Sequence, residues 1–351
     1  MTLKLTRRGL MKISAAAAAG VWLGAGPRIL RARGANEKLN VACIGVGGQG
    51  GFSVGGVSGE NIVALCDVDD AKAGGQYKKH PDAKKYYDFR KMFDEMEKDI
   101  DAVTVATPDH THFHASMWAL QRGKHLYCEK PMAHNVWEAR QMTDLAREKK
   151  LATQLGVQRH TIAGIHRTVE AIQAGAIGKV TEVYSWISSG RGMPADITKY
   201  PPVPDGLKWD LWLGPAAEHK YTPELCPYKW RFWWNYGTGE AGNWGCHILD
   251  IPFWALGLTH PTSVEIAGPT ADPLKTPTNF QSTFQFPAVG GRGPVTLHWV
   301  QGVPSIIKEK GIPAKGNNLF IGTEGMLTCG FGGPTLLPKE KFADYKAPAQ
   351  T

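Results

Sequence analysis

The apolar positions fall into two regimes. From residue 39 to about residue 157 they form short continuous runs: 39–45 (LNVACIG), 61–67 (NIVALCD), 101–106 (DAVTVA), 124–128 (KHLYC) and 151–157 (LATQLGV). Runs without alternation read as strands buried on both faces, as in a parallel sheet. Helix-like segments separate them, at about 53–58, 84–97, 114–122 and 135–149. Strands alternating with helices predict right-handed parallel crossovers. One more helix is expected at 162–174. Beyond it the pattern changes to alternation, at 180–188, 263–267, 280–286, 295–300 and 318–321. Alternation fits half-buried strands of an antiparallel sheet. A long irregular stretch rich in Pro and Trp lies at 194–235. The expected fold is α/β. A Rossmann parallel sheet (36–157) precedes a second α/β domain (158–351) with a mostly antiparallel open sheet.

Length and charge alter this picture at one end. The chain has 351 residues, enough for two domains, and a formal net charge of +8. Seven of the basic residues lie in the first 35, with no acid among them, and setting them aside leaves +1. No electrostatic footprint for nucleic acid remains. The segment 1–35 starts with Arg7 and Arg8, continues through an apolar run at 13–25 and ends in small residues. That layout reads as a signal peptide of the twin-arginine kind, cleaved between 25 and 35, and predicts a periplasmic protein. The apolar run is too short for a stable membrane span. None of the six cysteines forms a CxxC pair, so they read as free core thiols.

The first strand closes on Gly45-Val46-Gly47-Gly48-Gln49-Gly50, a GxGxxG in the context that a dinucleotide fingerprint needs. Asp67 ends the second strand, where an acid receives ribose hydroxyls and repels a 2′-phosphate. NAD is therefore the expected cofactor, ahead of NADP. Thr107, Pro108 and His112 follow the third strand and read as a cofactor-contacting loop. The string DHTHFH at 109–114 lacks the partners of a metal site, and no metal is expected.

Glu129-Lys130-Pro131 after the fourth strand, with the run GNWGCHILD at 242–250, resembles the glucose–fructose oxidoreductase / inositol dehydrogenase family (Gfo/Idh/MocA), in its twin-arginine-exported flavour. The resemblance runs from about residue 38 to the end. It implies Lys130 beside the nicotinamide and the reacting hydroxyl, His247 as acid/base, Asp250 near the substrate or orienting its neighbours, and a cis bond before Pro131. Glu129 and Gln158 join the expected cofactor set and Arg159 the expected substrate set; the aromatic run adds Trp230 and Arg231 as substrate contacts, and a homo-oligomer is expected. Histidine suits proton transfer near neutrality, and a buried lysine suits polarising a carbonyl. Two departures stand out. Asn243 occupies the place where many relatives carry Asp, so no carboxylate raises the His247 pKa. Relatives also usually continue past residue 351.

The expected function is nicotinamide-dependent oxidation of a sugar, polyol or glycoside. Export favours schemes that keep their NAD: coupled oxidation and reduction, or glycoside cleavage through transient oxidation. A non-catalytic sugar binder that retains NAD is the further alternative. The Trp-rich run 229–234 reads either as a saccharide-stacking loop or as core.

Overall fold

The computed structural model describes residues 37–313 and 316–349. The segment read above as a twin-arginine signal lies outside the described residues.

The continuous apolar runs do form strands. β1 (Asn40–Ile44), β2 (Asn61–Cys66), β3 (Lys84–Tyr86), β4 (Ala102–Val105), β5 (His125–Glu129) and β6 (Thr153–Gly156) make one parallel sheet in the order β3-β2-β1-β4-β5-β6. The order reverses between β1 and β4, so a crevice opens at their carboxyl ends. Helices α1 (Gln49–Gly56), α2 (Asp70–Lys79), α3 (Phe89–Met96), α4 (Asp109–Gln121) and α5 (Val136–Glu148) make the crossovers.

Three expectations need correction. Residues 84–97 are not one helix: Lys84–Tyr86 is the edge strand, and α3 starts only after Asp88, whose carboxylate accepts from Arg90 N (2.9 Å). Helix α2 was not foreseen, because Lys, Gln and Gly dilute its apolar stripe. Its start is set by Asp69, whose Oδ1 accepts from Ala71 N (2.9 Å) and Lys72 N (3.1 Å). The segment after β4 is loop only as far as Pro108; α4 begins at Asp109, five residues ahead of the expected start.

In the second domain α6 (Ala163–Gln173) precedes a seven-stranded sheet. Its strands are β7 (Val180–Ile187), β8 (Ser263–Ala267), β9 (Gln281–Phe286), β10 (Val295–Gln301), β11 (Asn318–Gly322), β12 (Met326–Cys329) and β13 (Pro334–Leu337). The order is β13-β12-β11-β7-β10-β9-β8, antiparallel except where β10 runs parallel to β7. β12 and β13 were not anticipated, since runs of four residues are too short to show a period. One face of the sheet packs on α6 and α7 (Asp250–Leu256) through Ile165, Val169, Val183, Ile251 and Phe320. Both domains belong to one compact unit from Leu39 onward.

The irregular stretch forms a strap that crosses back to the first domain. Lys208 N donates to Val68 O (2.8 Å), and Asp70 N to Gly206 O (3.1 Å). Leu207, Trp212, Leu225, Trp230 and Trp233 form its own small core, with Val68 packed against it. The described cysteines are free thiols, and five of the six are buried.

Candidate active site

The glycine loop leads from β1 into α1. A Cβ on Gly50 would lie 1.8 Å from the Gly45 carbonyl oxygen, so only glycine allows this turn to close. Beyond β2, Asp67 accepts from Val46 N (2.8 Å), Gly47 N (2.9 Å) and Asp69 N (3.0 Å). The carboxylate therefore shapes the loop itself. Burial raises its pKa, and the three N–H groups work the other way.

A cavity of about 940 Å³ runs along the carboxyl ends of this sheet. Gly45, Gly47, Gly48, Gln49, Asp67, Thr107, Pro108, His112, Glu129 and Lys130 line it on the first-domain side. Asn243, Trp230 and Arg231 line it on the other. The volume suits a large ligand, and the glycine turn brings backbone close enough to cradle a pyrophosphate. These residues fit a dinucleotide. Gly50 and Gln158 are not among the residues that line it.

Two histidines of α4, His110 and His112, bond main-chain carbonyls. His112 Nδ1 lies 2.7 Å from Pro131 O, and Nε2 lies 2.7 Å from Thr107 O. Both partners are acceptors only, so both ring nitrogens donate and the ring is an imidazolium. Burial opposes that charge, yet Cys128, Asp109 and the Pro131 carbonyl push the pKa up to about 9. The ring sits in the cavity wall, but its nitrogens are committed to the two loops and not to a ligand. Asp109, fully buried, accepts from Thr238 Oγ1 (2.7 Å), and burial raises its pKa. His110 Nε2 meets Trp212 O (3.0 Å), and burial pushes this ring down to about 4.

Lys130 follows directly on β5, and the Lys130–Pro131 bond is cis, as expected. Its Nζ donates to Asn243 O (2.5 Å) and lies 3.3 Å from Asn243 Oδ1. Burial lowers its pKa. Glu129 Oε1, just before it, accepts from Ser53 Oγ (3.0 Å), Tyr127 OH (3.2 Å) and Gln158 Nε2 (2.6 Å). Gln158 thus acts through Glu129.

Asn243 sits in a π-helical turn, Ala241–Gly245, a rare geometry often found at functional sites. A Cβ on Gly242 would lie 1.7 Å from Thr238 Oγ1, so glycine lets the turn approach the hydroxyl that holds Asp109. Asn243 Nδ2 donates to Glu240 Oε2 (3.4 Å). Glu240 is buried and ion-paired with Arg191. The amide is fixed with its oxygen toward Lys130. Sequence reasoning missed Glu240, Arg191 and Thr238; the acid three residues ahead of Asn243 was the one available signal.

His247 follows the turn and is 8% exposed. Its Nδ1 has no hydrogen-bond partner among the described residues. Burial, then the charges of Lys130 and Arg159, push its pKa down to about 4. Arg159 lies 4.0 Å from the Phe331 ring centre and 5.0 Å from that of Trp244. Trp244 in turn has its ring 6.0 Å from that of His247. Asp250 does not join Lys130. It pairs with His160 Nδ1 (2.7 Å), whose ring stacks on Trp254. Asp250, three residues after His247, thus orients His160.

The tryptophans divide. Trp186 and Trp233 are core residues. Trp230 is 5% exposed, so it shapes the cavity wall more than it offers an open stacking face. Arg231 lies over the rings of Trp230 (4.3 Å) and Tyr228 (4.4 Å) and donates to Tyr228 O (3.1 Å).

Two family models match the chain. Residues 39–157 match the oxidoreductase family NAD-binding Rossmann fold (GFO_IDH_MocA), and residues 176–287 match that family's C-terminal alpha/beta domain. An inositol 2-dehydrogenase of Rubrobacter xylanophilus is 32% identical over 161 residues, 44% of this chain and 45% of that protein. A levoglucosan dehydrogenase of Pseudarthrobacter phenanthrenivorans is 31% identical over 171 residues, 48% and 36% of the two chains. The chain thus matches less than half the length of these curated relatives. The fold is also that of an inositol dehydrogenase homolog from Azotobacter vinelandii, solved with NADH and myo-inositol (TM-score 0.56, 18% identity, 83% of this chain and 70% of that one). With both domains matched in order and the fold shared, the chain belongs to the Gfo/Idh/MocA family of NAD-binding oxidoreductases.

Proposed function

We propose that this protein oxidises a secondary alcohol of a sugar, polyol or glycoside with NAD as hydride acceptor. One observation carries the reading. The fold brings Lys130, at the end of a Rossmann strand, onto the π-turn that leads to His247. Bound NAD supplies the two-electron chemistry. The protein's own residues do the rest. Lys130, its pKa lowered by burial, donates a hydrogen bond to the reacting oxygen. Neutral His247 takes the hydroxyl proton and returns it in the reverse direction. Asp67, with lone pairs left beside the loop, receives the adenine ribose and disfavours NADP. The relatives named as inositol and levoglucosan dehydrogenases support a hydroxyl-rich substrate.

The layout of residues 1–35 supports export by the twin-arginine route, and export in turn supports a second reading in which NAD stays bound and the net reaction is redox-neutral. The strap over the cleft supports retention as well. One experiment tests both. The mature protein is purified without added cofactor, denatured, and the released nucleotide identified. Sugars, polyols and glycosides are then screened with and without NAD, following product and reduced nicotinamide. Stoichiometric NADH marks the dehydrogenase; product without NADH marks the redox-neutral cycle; neither, across the panel, overturns both.

A further inference from the structure

Around Lys130 and His247 the carboxylates are already committed. Glu240 pairs with Arg191, and Asp250 with His160. Glu129 receives Ser53, Tyr127 and Gln158, and Asp109 receives Thr238 beside the His112 imidazolium. Arg159 is different. Its guanidinium rests on the rings of Phe331 and Trp244 and has no hydrogen-bond or ion-pair partner among the described residues. Five N–H donors in a planar fork are thereby left for something else. The two charges that bear on His247 are Lys130 and Arg159, both positive. Asn243, hydrogen-bonded to Lys130, adds no charge. Cys246, the residue before His247 in the chain, is kept a neutral thiol by burial, its pKa pushed up to about 11.

We propose that the substrate is itself an anion, a sugar acid or polyol acid whose carboxylate is received by Arg159 while its hydroxyl meets Lys130 and His247. This rests on the dehydrogenase reading above. A guanidinium matches a carboxylate in two parallel hydrogen bonds. The carboxylate also supplies the negative charge that Asn243 lacks. Once bound, it offsets Arg159 and lets His247 regain basicity, so the correct substrate helps to make its own base.

The test compares acid and neutral partners with the full chain and NAD: D-glucuronate with D-glucose, D-galacturonate with D-galactose, and D-gluconate with D-glucitol. Glucose 6-phosphate separates a carboxylate from any anion. At least one acid should exceed its neutral partner by about 10- to 100-fold in kcat/KM, the range of one or two charge-assisted bonds. Arg159→Gln should remove most of that ratio, and Arg159→Lys should keep part of it. With the acid, the acid limb of kcat should lie above that of kcat/KM, since kcat reports the complex. Equal use of neutral partners, an equal loss on both in Arg159→Gln, or a preference for the phosphate ester would overturn the proposal. If no compound is oxidised, the dehydrogenase reading fails on its own. Calorimetry of glucuronate and glucose with NADH-supplemented protein then decides the anion site: binding of glucuronate alone, lost in Arg159→Gln, upholds it, and absence of that binding overturns it.

Discussion

Lys130 Nζ donates to the main-chain oxygen of Asn243 at 2.5 Å, joining residues 113 apart in sequence across the two domains. The bond ties the carboxyl end of a parallel strand to a π-turn, and the lysine's place therefore depends on that turn. Removing the ammonium should stop chemistry before it harms the fold. Lys130→Met is expected to lower kcat by about 10²- to 10⁴-fold, the range for loss of one acid–base or polarising group. Nucleotide content after purification should stay near that of the parent. A variant with near-normal turnover would remove Lys130 from the reaction.

Asn243→Asp places a carboxylate beside Lys130 and near His247. A negative charge raises a neighbouring histidine, so the acid limb of kcat/KM should move up from about 4 toward the ordinary histidine range. The profile is measured on any substrate that turns over. An unmoved limb would mean that His247 does not titrate in the rate.

His112 predicts the alkaline side of stability. Its folded pKa, about 9, lies above its ordinary 6.5. A raised pKa contributes stability that is fully present below pH 6.5 and lost as pH rises through 9. Urea denaturation of the parent should show a lower midpoint at pH 9.5 than at pH 7. His112→Gln should be less stable at pH 7 and lack that decline. A decline of the same size in the variant would assign it to another group.

Gly242→Ala should destabilise the protein by about 1–3 kcal/mol, the usual cost of overpacking. The added methyl collides with the hydroxyl of Thr238. The double variant with Thr238→Ala should recover part of the loss, read from denaturant midpoints. No recovery would place the clash elsewhere.

Asp67→Asn keeps the shape but halves the acceptor strength toward Val46 and Gly47 N–H. Calorimetry on cofactor-free protein should show weaker NAD binding and a smaller preference over NADP. Tighter binding of NADP by the parent protein would sink the assignment of Asp67.

Local patterning settled a definite part of this protein. Continuous apolar runs gave the strands of the parallel sheet because burial on both faces leaves no polar alternative. The glycines of 45–50 were legible because a turn that admits no Cβ admits one residue type. Lys130 and His247 were singled out from strings whose spacing is local. Edge strands such as Lys84–Tyr86 and Pro334–Leu337 escaped, since three or four residues carry no period and their pairing partners are supplied by the sheet. The tertiary structure alone decided where polar side chains spend their hydrogen bonds. It gave both nitrogens of His112 to the Thr107 and Pro131 carbonyls, and sent Asp250 to His160. It buried Glu240 against Arg191 and left Arg159 on two rings. A residue's type in sequence fixes what it is able to bond. Which group stands within 3 Å of it depends on chain segments more than a hundred residues away, and so does its charge state.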